Sequence, residues 1–180
     1  MKMKIVKDSN PIMRKRSEVV TLPLSNEDRE ILASMHEYII KSQDDEYANK
    51  HNIRPGVGLA AIQIGLLKRM FVVHIPMEDG DISYQVVNPK IIESSIRGVA
   101  LSGGEGCLSV DKEHKGLVHR NYRIKIKFFD AIKNEEVVLS LSGYPAIVFQ
   151  HEYDHLDGKL FYDRINKENP FKQNMNEEII

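Results

Sequence analysis

YPAIVFQHEYDHLDG, residues 144–158, combines the features of a helix with those of a metal site. Within it, His151, Glu152 and His155 form the pattern H-E-x-x-H. Residues four apart lie one above the other on a helix, so both imidazoles can reach one metal ion while Glu152 addresses a water molecule on that ion. The pattern therefore predicts a helix suited to metal-assisted hydrolysis.

The flanking residues predict that this helix turns its histidine face inward or toward a cleft. Pro145 stands near the first helical position and Gly158 just beyond the end, as helix termini favour. Ile147 and Val148 lie four residues before the first histidine and the glutamate, so the apolar stripe continues into the pattern. A chance match is the alternative, but buried polar groups without a metal would then need other partners, at about 1 to 3 kcal/mol each.

A catalytic site of the zinc type needs a third protein ligand and one open position. Downstream of His155 the candidates are Asp157, Asp163 and Glu168, none of which belongs to a further histidine pattern. Upstream, the only cysteine, Cys107, lies in GGEGCLSV, where glycines allow a close approach of the backbone. We favour Cys107, with an inert buried thiol as the alternative.

Composition restricts the class of protein. The 180 residues are enough for one domain with a sizeable core, and 42% hydrophobic and 28% charged residues are typical of folded, water-soluble chains. A formal net charge of -1 gives no overall attraction to nucleic acid or an anionic membrane. No run of apolar residues has the length of a signal peptide or a membrane span, so we expect a cytoplasmic protein.

Hydrophobic periodicity predicts the other elements. An amphipathic helix is expected over residues 26–43 and a polar loop over 43–55. Strands are predicted at 70–75, 84–88 and 91–101, with a turn at Pro89, followed by an antiparallel hairpin built from 122–128 and 137–141. The polar residues 166–180 are expected to form a loosely attached tail.

The stretch GVGLAAIQIG, residues 56–65, allows a nucleotide-binding interpretation because Gly56, Gly58 and Ala61 fit the spacing G-x-G-x-x-A. That interpretation requires an apolar strand directly before Gly56, and the preceding DDEYANKHNIRP is polar. Asp79 lies near the distance expected for a ribose-binding acid, but this partial match is weak.

Three stretches together resemble peptide deformylases. GVGLAAIQ at 56–63, EGCLS at 105–109 and QHEYDHLDG at 150–158 are similar to the family motifs G-x-G-L-A-A-x-Q, E-G-C-L-S and Q-H-E-x-D-H-L-x-G, in the family's order. The 41 residues between Gln63 and Glu105 resemble the longer bacterial form of Gram-positive organisms. Ile62 stands where that form often has proline.

The resemblance implies an α+β fold with mostly antiparallel sheets around a central metal-binding helix and an outer amphipathic helix. It extends over residues 1–165, which we expect to be one catalytic domain, with 166–180 as a polar tail. The implied reaction removes the formyl group from the N-terminal formylmethionine of nascent polypeptides and releases formate. A monomer with transient proximity to the ribosome, and without direct nucleic-acid or membrane binding, is expected.

The resemblance also implies a metal site. Cys107, His151 and His155 are the expected ligands of one divalent ion, Fe(II) in the family, with Zn, Ni or Co as replacements that the same ligands accept. Glu105 and Arg120 are expected to pair behind the site and to orient Cys107.

Catalytic and substrate-binding roles follow from the same motifs. Glu152 would take a proton from water and pass it to the leaving amine, while the Gln63 side-chain amide and the Leu108 backbone N–H would stabilise the oxyanion. Backbone groups of Gly58 and Gly104 would bind the peptide as an added strand. The methionine pocket would be formed by Val57, Tyr144, Ile147 and Val148.

Two other classes of protein remain open from the sequence. One is a zinc endopeptidase that uses the two histidines and a downstream carboxylate. The other is a non-catalytic binding module, in which a fourth protein ligand closes the metal site.

Overall fold

The computed structural model describes residues 3–180 and has an α+β fold, as predicted. Its α-helices are α1 (Asn26–Ser42), α2 (Asp45–His51) and α3 (Tyr144–Leu156), and 3₁₀-helices cover Pro11–Arg14, Ala61–Ile64 and Phe161–Arg164. The strands are β1 (Gly58–Ala60), β2 (Met70–Ile75), β3 (Ile82–Ser94), β4 (Gly98–Ala100), β5 (Arg120–Asn121), β6 (Arg123–Asp130), β7 (Glu135–Ser142) and β8 (Glu177–Ile179).

The strands form two sheets. The larger has the order β1-β2-β3-β6-β7 and is antiparallel throughout. The smaller has the order β5-β4-β8, with β4 antiparallel to β5 and parallel to β8. The predicted hairpin is confirmed as β6 and β7, whose alternating apolar residues turn one face toward the core.

The larger sheet lies between α1 and α3, which explains the unbroken apolar run of β2. Met70 and Val72 pack in the cluster that includes α1, whereas Phe71 and Val73 pack in the cluster that includes α3. Successive strand residues point to opposite faces, so a strand covered on both faces needs apolar residues at every position. On the α3 side, the rings of Phe71 and Phe149 meet edge to face at 5.7 Å between centroids.

The outer helix α1 begins and ends close to the predicted positions. The Ser25 side chain caps it by accepting a hydrogen bond from the Asp28 N–H at 3.1 Å. Leu32, Met35 and Ile39, at helical spacing, are completely buried against the sheet. The helix is therefore held by an amphipathic face together with an N-terminal cap.

The central helix α3 is also confirmed, with Pro145 in its first turn and Gly158 in a left-handed conformation just beyond its end. Most of its residues are buried, including polar ones, because it lies between the larger sheet and the smaller one. None of the helices within residues 3–180 has the length and apolarity needed to cross a membrane.

The prediction of a loop over residues 43–55 is wrong in part, because α2 forms within this segment. The Asp44 side chain caps α2 by accepting from the Tyr47 N–H at 2.7 Å, and the left-handed residue Asn52 ends it. Acidic residues in the first turn and basic residues in the last complement the helix dipole. Capping and charge, without an apolar stripe, therefore define this short helix.

The prediction of a turn at Pro89 is also wrong, since β3 continues through this residue. Asn88 has a φ of 50°, and the pairing of β3 with β6 shifts register between Val87 and Lys90. A bulge accommodates a proline within a strand because the ladder is already interrupted there. The strand predicted over 91–101 is instead divided, with its second part forming β4 in the other sheet.

The expectation of a loosely attached tail does not hold for the end of the chain. β8 pairs with β4, and the Glu177 carboxylate lies 2.7 Å from His119 Nδ1 while largely buried. Nearer the start of the tail, the Pro170 carbonyl accepts from the Leu117 N–H at 2.8 Å. These contacts are formed with residues more than fifty positions away, which polar composition alone does not reveal.

The Gly158→Ala substitution should destabilise the fold strongly. Gly158 has a φ of 68°, and an added Cβ would lie 2.5 Å from the Arg14 carbonyl oxygen. Gly65→Ala is the matched control, because Gly65 has a φ of 85° but its Cβ would meet only a Val6 methyl at 3.8 Å. We expect urea unfolding to show a loss of about 1 to 2 kcal/mol for the control and of about 3 kcal/mol or more for Gly158→Ala. Equal losses would show that the contact with Arg14 is unimportant.

Candidate active site

The three predicted metal ligands come together beside α3. The nearest ligand atoms of Cys107, His151 and His155 all lie within 4.8 Å of one another, and Cys107 Sγ is 3.3 Å from His155 Nε2. The two histidines occupy successive turns of α3, whereas Cys107 belongs to the long loop between β4 and β5. This is the only cluster of three such residues that could hold a metal within the described part of the chain.

The types of donor atom, and the spacing of Cys107 Sγ and His155 Nε2, suit a tetrahedral metal ion. Typical bond lengths to zinc place a thiolate sulfur and an imidazole nitrogen about 3.5 Å apart, close to the observed separation of Cys107 and His155. One thiolate with two imidazoles suits Zn, Fe(II), Ni or Co. Three protein ligands leave a fourth position for water or substrate, as catalytic sites require.

The alternative third ligands lie elsewhere. The Asp157 carboxylate accepts from Arg69 Nη1 at 2.7 Å, and Asp163 pairs with Arg14. Glu168 is exposed. None of the three carboxylates joins the cluster, so the arrangement needed for the zinc endopeptidase is not present.

Glu105 and Arg120 form the predicted pair, but the carboxylate reaches His151 rather than Cys107. Arg120 donates to it from Nε at 2.5 Å and from Nη2 at 2.8 Å, and His151 Nδ1 lies 2.8 Å from Glu105 Oε2. This contact fixes the orientation of the imidazole and leaves His151 Nε2 for the metal.

Two residues that the sequence analysis did not single out extend this network. Asp154 Oδ2 accepts from Arg120 Nη1 at 3.0 Å, and the Asp154 carboxylate also accepts from Arg164 Nε and Nη2 at 2.5 and 2.7 Å. A charged residue on a buried helix needs a partner of opposite charge. Asp154 lies within the histidine pattern, on a helix expected to be buried, so the sequence could have indicated that it has such a partner.

Two carboxyl groups in the site have opposite pKa shifts. Burial alone would raise the pKa of Glu105, but hydrogen bonds from Arg120 and His151 outweigh it and lower the pKa to about 2. Burial raises the pKa of Glu152 to about 7, and its Oε2 forms no hydrogen bond with any group in residues 3–180. Buried carboxylate oxygens normally have a partner, so Glu152 is directed at a ligand or at water.

Gly58 in β1 is packed directly against this carboxyl group. A Cβ on Gly58 would lie 2.5 Å from Glu152 Oε1 and 2.8 Å from Cδ. Glycine is therefore required here by the close approach of the strand to Glu152.

The Gln63 amide lies next to the metal cluster. Its Oε1 accepts from the Ala60 N–H at 2.8 Å, while Nε2 donates to Ser109 Oγ at 3.1 Å and lies 3.4 Å from Cys107 Sγ. The side chain is buried, and these contacts fix which end of the amide faces the sulfur. Ser109 is a partner that the sequence analysis missed.

A cavity of about 390 Å³ opens beside these groups. Its walls include Gln63, Leu108, His151 and Glu152. They also include the six predicted substrate-binding residues, Val57, Gly58, Gly104, Tyr144, Ile147 and Val148. The volume lies in the range of small-molecule and peptide side-chain pockets. Gln43, Arg54 and Leu101 line it too and were not anticipated.

The nucleotide interpretation of residues 56–65 does not agree with the local structure. β1 begins only at Gly58, after the first glycine, and the 3₁₀-helix Ala61–Ile64 follows in place of a long helix. A phosphate site of that type needs a strand before the glycines and a helix N-terminus after them.

The fold and the site define a metal-dependent hydrolase, with a Cys-His-His cluster, a buried glutamate and an amide beside one cleft. A family model described as polypeptide deformylase matches residues 2–171. Peptide deformylase 2 of Bacillus cereus is 53% identical over 93% of this chain and 91% of its own length, and the peptide deformylase of Halalkalibacterium halodurans is 49% identical over 97% of each. The crystal structure of peptide deformylase from Thermus thermophilus aligns with a TM-score of 0.72 at 34% identity, covering 92% of this chain and 86% of that one.

The chain therefore belongs to the peptide deformylase family. It is a hydrolase of protein biosynthesis that removes the N-formyl group from newly made polypeptides. The resemblance to the Gram-positive form, the α+β fold and the enzyme class predicted from the sequence are confirmed.

Gly58→Ala should impair catalysis while leaving the metal in place. The added methyl group must displace the Glu152 carboxyl group, and misplacing a catalytic group by about 1 Å costs about 10²-fold in rate. Gly103→Ala is the control, because a Cβ at Gly103 meets no atom within 4 Å. Formate release and metal content would be measured for both variants, and similar rates for the two would contradict the prediction.

Glu105→Gln should weaken metal retention. The amide lacks the negative charge and has one acceptor oxygen in place of two, so its NH₂ group would face an N–H donor of Arg120 or His151. The contact that orients His151 is therefore weakened, and metal affinity should fall about 10- to 100-fold. Glu93→Gln removes an exposed carboxylate that pairs with Lys125 and serves as the control. The measurement is metal release against a competing chelator, below the unfolding temperature of each variant. Unchanged affinity in Glu105→Gln would show that its contact with His151 is irrelevant to the metal.

Proposed function

We propose that deformylation is carried out by Glu152 as the proton-transferring group and by Gln63 and Leu108 as oxyanion donors, beside a metal held by Cys107, His151 and His155. The observation that carries this proposal is that all of these groups except the buried His155 line one cavity, and that His155 Nε2 lies 3.3 Å from Cys107 Sγ. Such a constellation suits hydrolysis of a small amide, in which water adds to the formyl carbonyl and the amine then departs.

The proposed metal ligands are the Cys107 thiolate and the imidazoles of His151 and His155, and the proposed working ion is Fe(II), as the resemblance implies. A divalent ion in this position supplies Lewis acidity, which makes water a usable nucleophile near neutral pH and polarises a carbonyl. The Glu105 contact with His151 supports this assignment, because it leaves the other ring nitrogen for the ion.

Glu152 is proposed as the group that takes a proton from the attacking water and delivers it to the leaving amine. The other buried carboxylates of the site are committed to ion pairs, Glu105 with Arg120 and Asp154 with Arg120 and Arg164. Glu152 has no such cation and lines the cavity. It is therefore the carboxyl group that is free to exchange a proton with a bound reactant.

Gln63 and Leu108 are proposed to stabilise the negative charge that develops on the formyl oxygen. The Gln63 amide is held by Ala60 and Ser109. The Leu108 N–H donates to no acceptor within residues 3–180, and Leu108 lines the cavity. Preorganised donors of this kind are typically worth about 3 kcal/mol each in the transition state.

The methionine side chain is proposed to occupy the apolar part of the cavity, which is lined by Val57, Tyr144, Ile147 and Val148. The peptide would then add to the free edge of β1, which is the edge strand of the larger sheet. Gly58 can offer its backbone there. Gly104 can offer only its carbonyl, because its N–H already donates to the Leu101 carbonyl at 3.0 Å.

We also propose that the protein acts in the cytoplasm as a monomer, in transient proximity to the ribosome, because its substrate is the N-terminus of a nascent chain. The net charge of -1 supports a role without direct binding to nucleic acid or membranes.

Glu152→Ala should retain the metal and lose activity. Removing a general base costs about 10²- to 10⁴-fold in rate, whereas the three metal ligands are unaffected. Formate release from a formyl-Met peptide would be measured under anaerobic conditions with Fe(II)-loaded protein, alongside cleavage of internal peptide bonds.

Cys107→Ser, which replaces the proposed thiolate ligand, should lose metal as well as activity.

A Glu152→Ala variant with full activity would overturn the role of Glu152. A Cys107→Ser variant with full metal content and activity would overturn the ligand set. Cleavage of internal peptide bonds without formate release would overturn the proposed reaction.

A further inference from the structure

Arg54 spans two walls of the cavity. It lies just before the segment that leads into β1, yet its guanidinium contacts the loop that carries Cys107. Nη2 donates to the Leu108 carbonyl at 2.8 Å and to the Cys107 carbonyl at 3.2 Å, and Nη1 donates to the Val110 carbonyl at 3.1 Å. One side chain thus binds three carbonyl groups within residues 107–110 of that loop.

The contact with the Cys107 carbonyl bears directly on the Leu108 N–H, because both groups belong to the same planar peptide unit. A cation at the carbonyl oxygen holds the plane of that unit, and it polarises the N–H into a stronger donor. The Val110 N–H donates to the same oxygen at 3.1 Å. The carbonyl end of this peptide is therefore well anchored, while its N–H remains available.

The partners of Arg54 are unusual for an arginine with half of its side chain exposed. Its contact with a carboxylate, Asp111 Oδ1, is long at 3.3 Å, and that oxygen is taken by Lys7 at 2.7 Å. The guanidinium instead directs its planar fork at backbone carbonyls. Arginine can do this with a fixed geometry that the point charge of a lysine does not reproduce.

We propose that Arg54 is a positioning residue that sets the orientation and donor strength of the Leu108 N–H for the developing oxyanion. The inference rests on the role proposed above for Leu108. Arg54 does not touch the reacting atoms and acts through the peptide between Cys107 and Leu108.

The test compares Arg54→Gln and Arg54→Lys with Lys7→Met. Lys7 provides the matched control because its ammonium bonds the Leu108 carbonyl at 3.2 Å, which belongs to the next peptide unit. Each variant would be loaded to one metal per chain, and kcat and KM would be measured with a formyl-Met peptide. Removing one oxyanion donor costs 10²- to 10³-fold, so weakening one by Arg54→Gln should lower kcat about tenfold, with KM unchanged within about twofold.

The kcat of Arg54→Lys should be intermediate between those of wild type and Arg54→Gln, because lysine keeps the positive charge but lacks the planar fork of the guanidinium. Lys7→Met should leave kcat close to wild type. In the zinc-loaded protein, the amide ¹⁵N resonance of Leu108 should shift in Arg54→Gln and should not shift in Lys7→Met. In Lys7→Met, the amide resonance that shifts should be that of Ser109.

Wild-type kcat in Arg54→Gln would overturn the proposal, and so would a rise in KM alone, which would make Arg54 a contact for the peptide substrate. Loss of metal that accounts for the whole loss of activity would also overturn it. Because wild-type protein is assayed in parallel, a failure of the proposed active site appears as no formate from any sample. A failure of the Arg54 inference appears as equal rates in wild type and variant.

Discussion

The structure depends on the burial of α3, which carries ionisable side chains into the core. Leaving such groups unpaired costs several kcal/mol each, so the surrounding elements must supply partners. Arg120 in β5 provides the central one, and it joins Glu105, on the loop that carries Cys107, to Asp154 on the helix. The Gln150 side chain adds a second connection, since it exchanges hydrogen bonds with the backbone of Asn121 at 3.0 and 2.9 Å. The smaller sheet and the loop with Cys107 are thereby fixed relative to the helix.

The same constraint places the two carboxyl groups of the site in different environments. Glu105 receives donors from a guanidinium and an imidazole and stays ionised, so it can only hold its partners in place. Glu152, which follows the proposed ligand His151, is also buried but receives no such donor. Pairs of carboxyl groups whose environments drive their pKa values apart are typical of active sites, where one group orients and the other exchanges protons.

Much of this arrangement could be predicted from the sequence because local patterns specify it. The spacing of His151 and His155, the cap at Ser25 and the alternation along β6 each encode a local geometry. The features that were missed depend on distant residues or, for α2, on caps at the ends of a short helix that has no apolar stripe. β8 exists through pairing with β4, α2 exists through its caps, and Arg54 reaches the Cys107 loop only because the chain brings two separate segments to one cavity.

The central claim is that Cys107, His151 and His155 hold one catalytic metal with a fourth position left open. X-ray absorption at the metal edge of active, metal-loaded protein tests it most directly. We expect one sulfur neighbour at about 2.3 Å and two imidazole nitrogens at about 2.0 to 2.1 Å, together with one light atom that an inhibitor or product displaces. A coordination shell without sulfur, or one closed by four protein ligands, would contradict it.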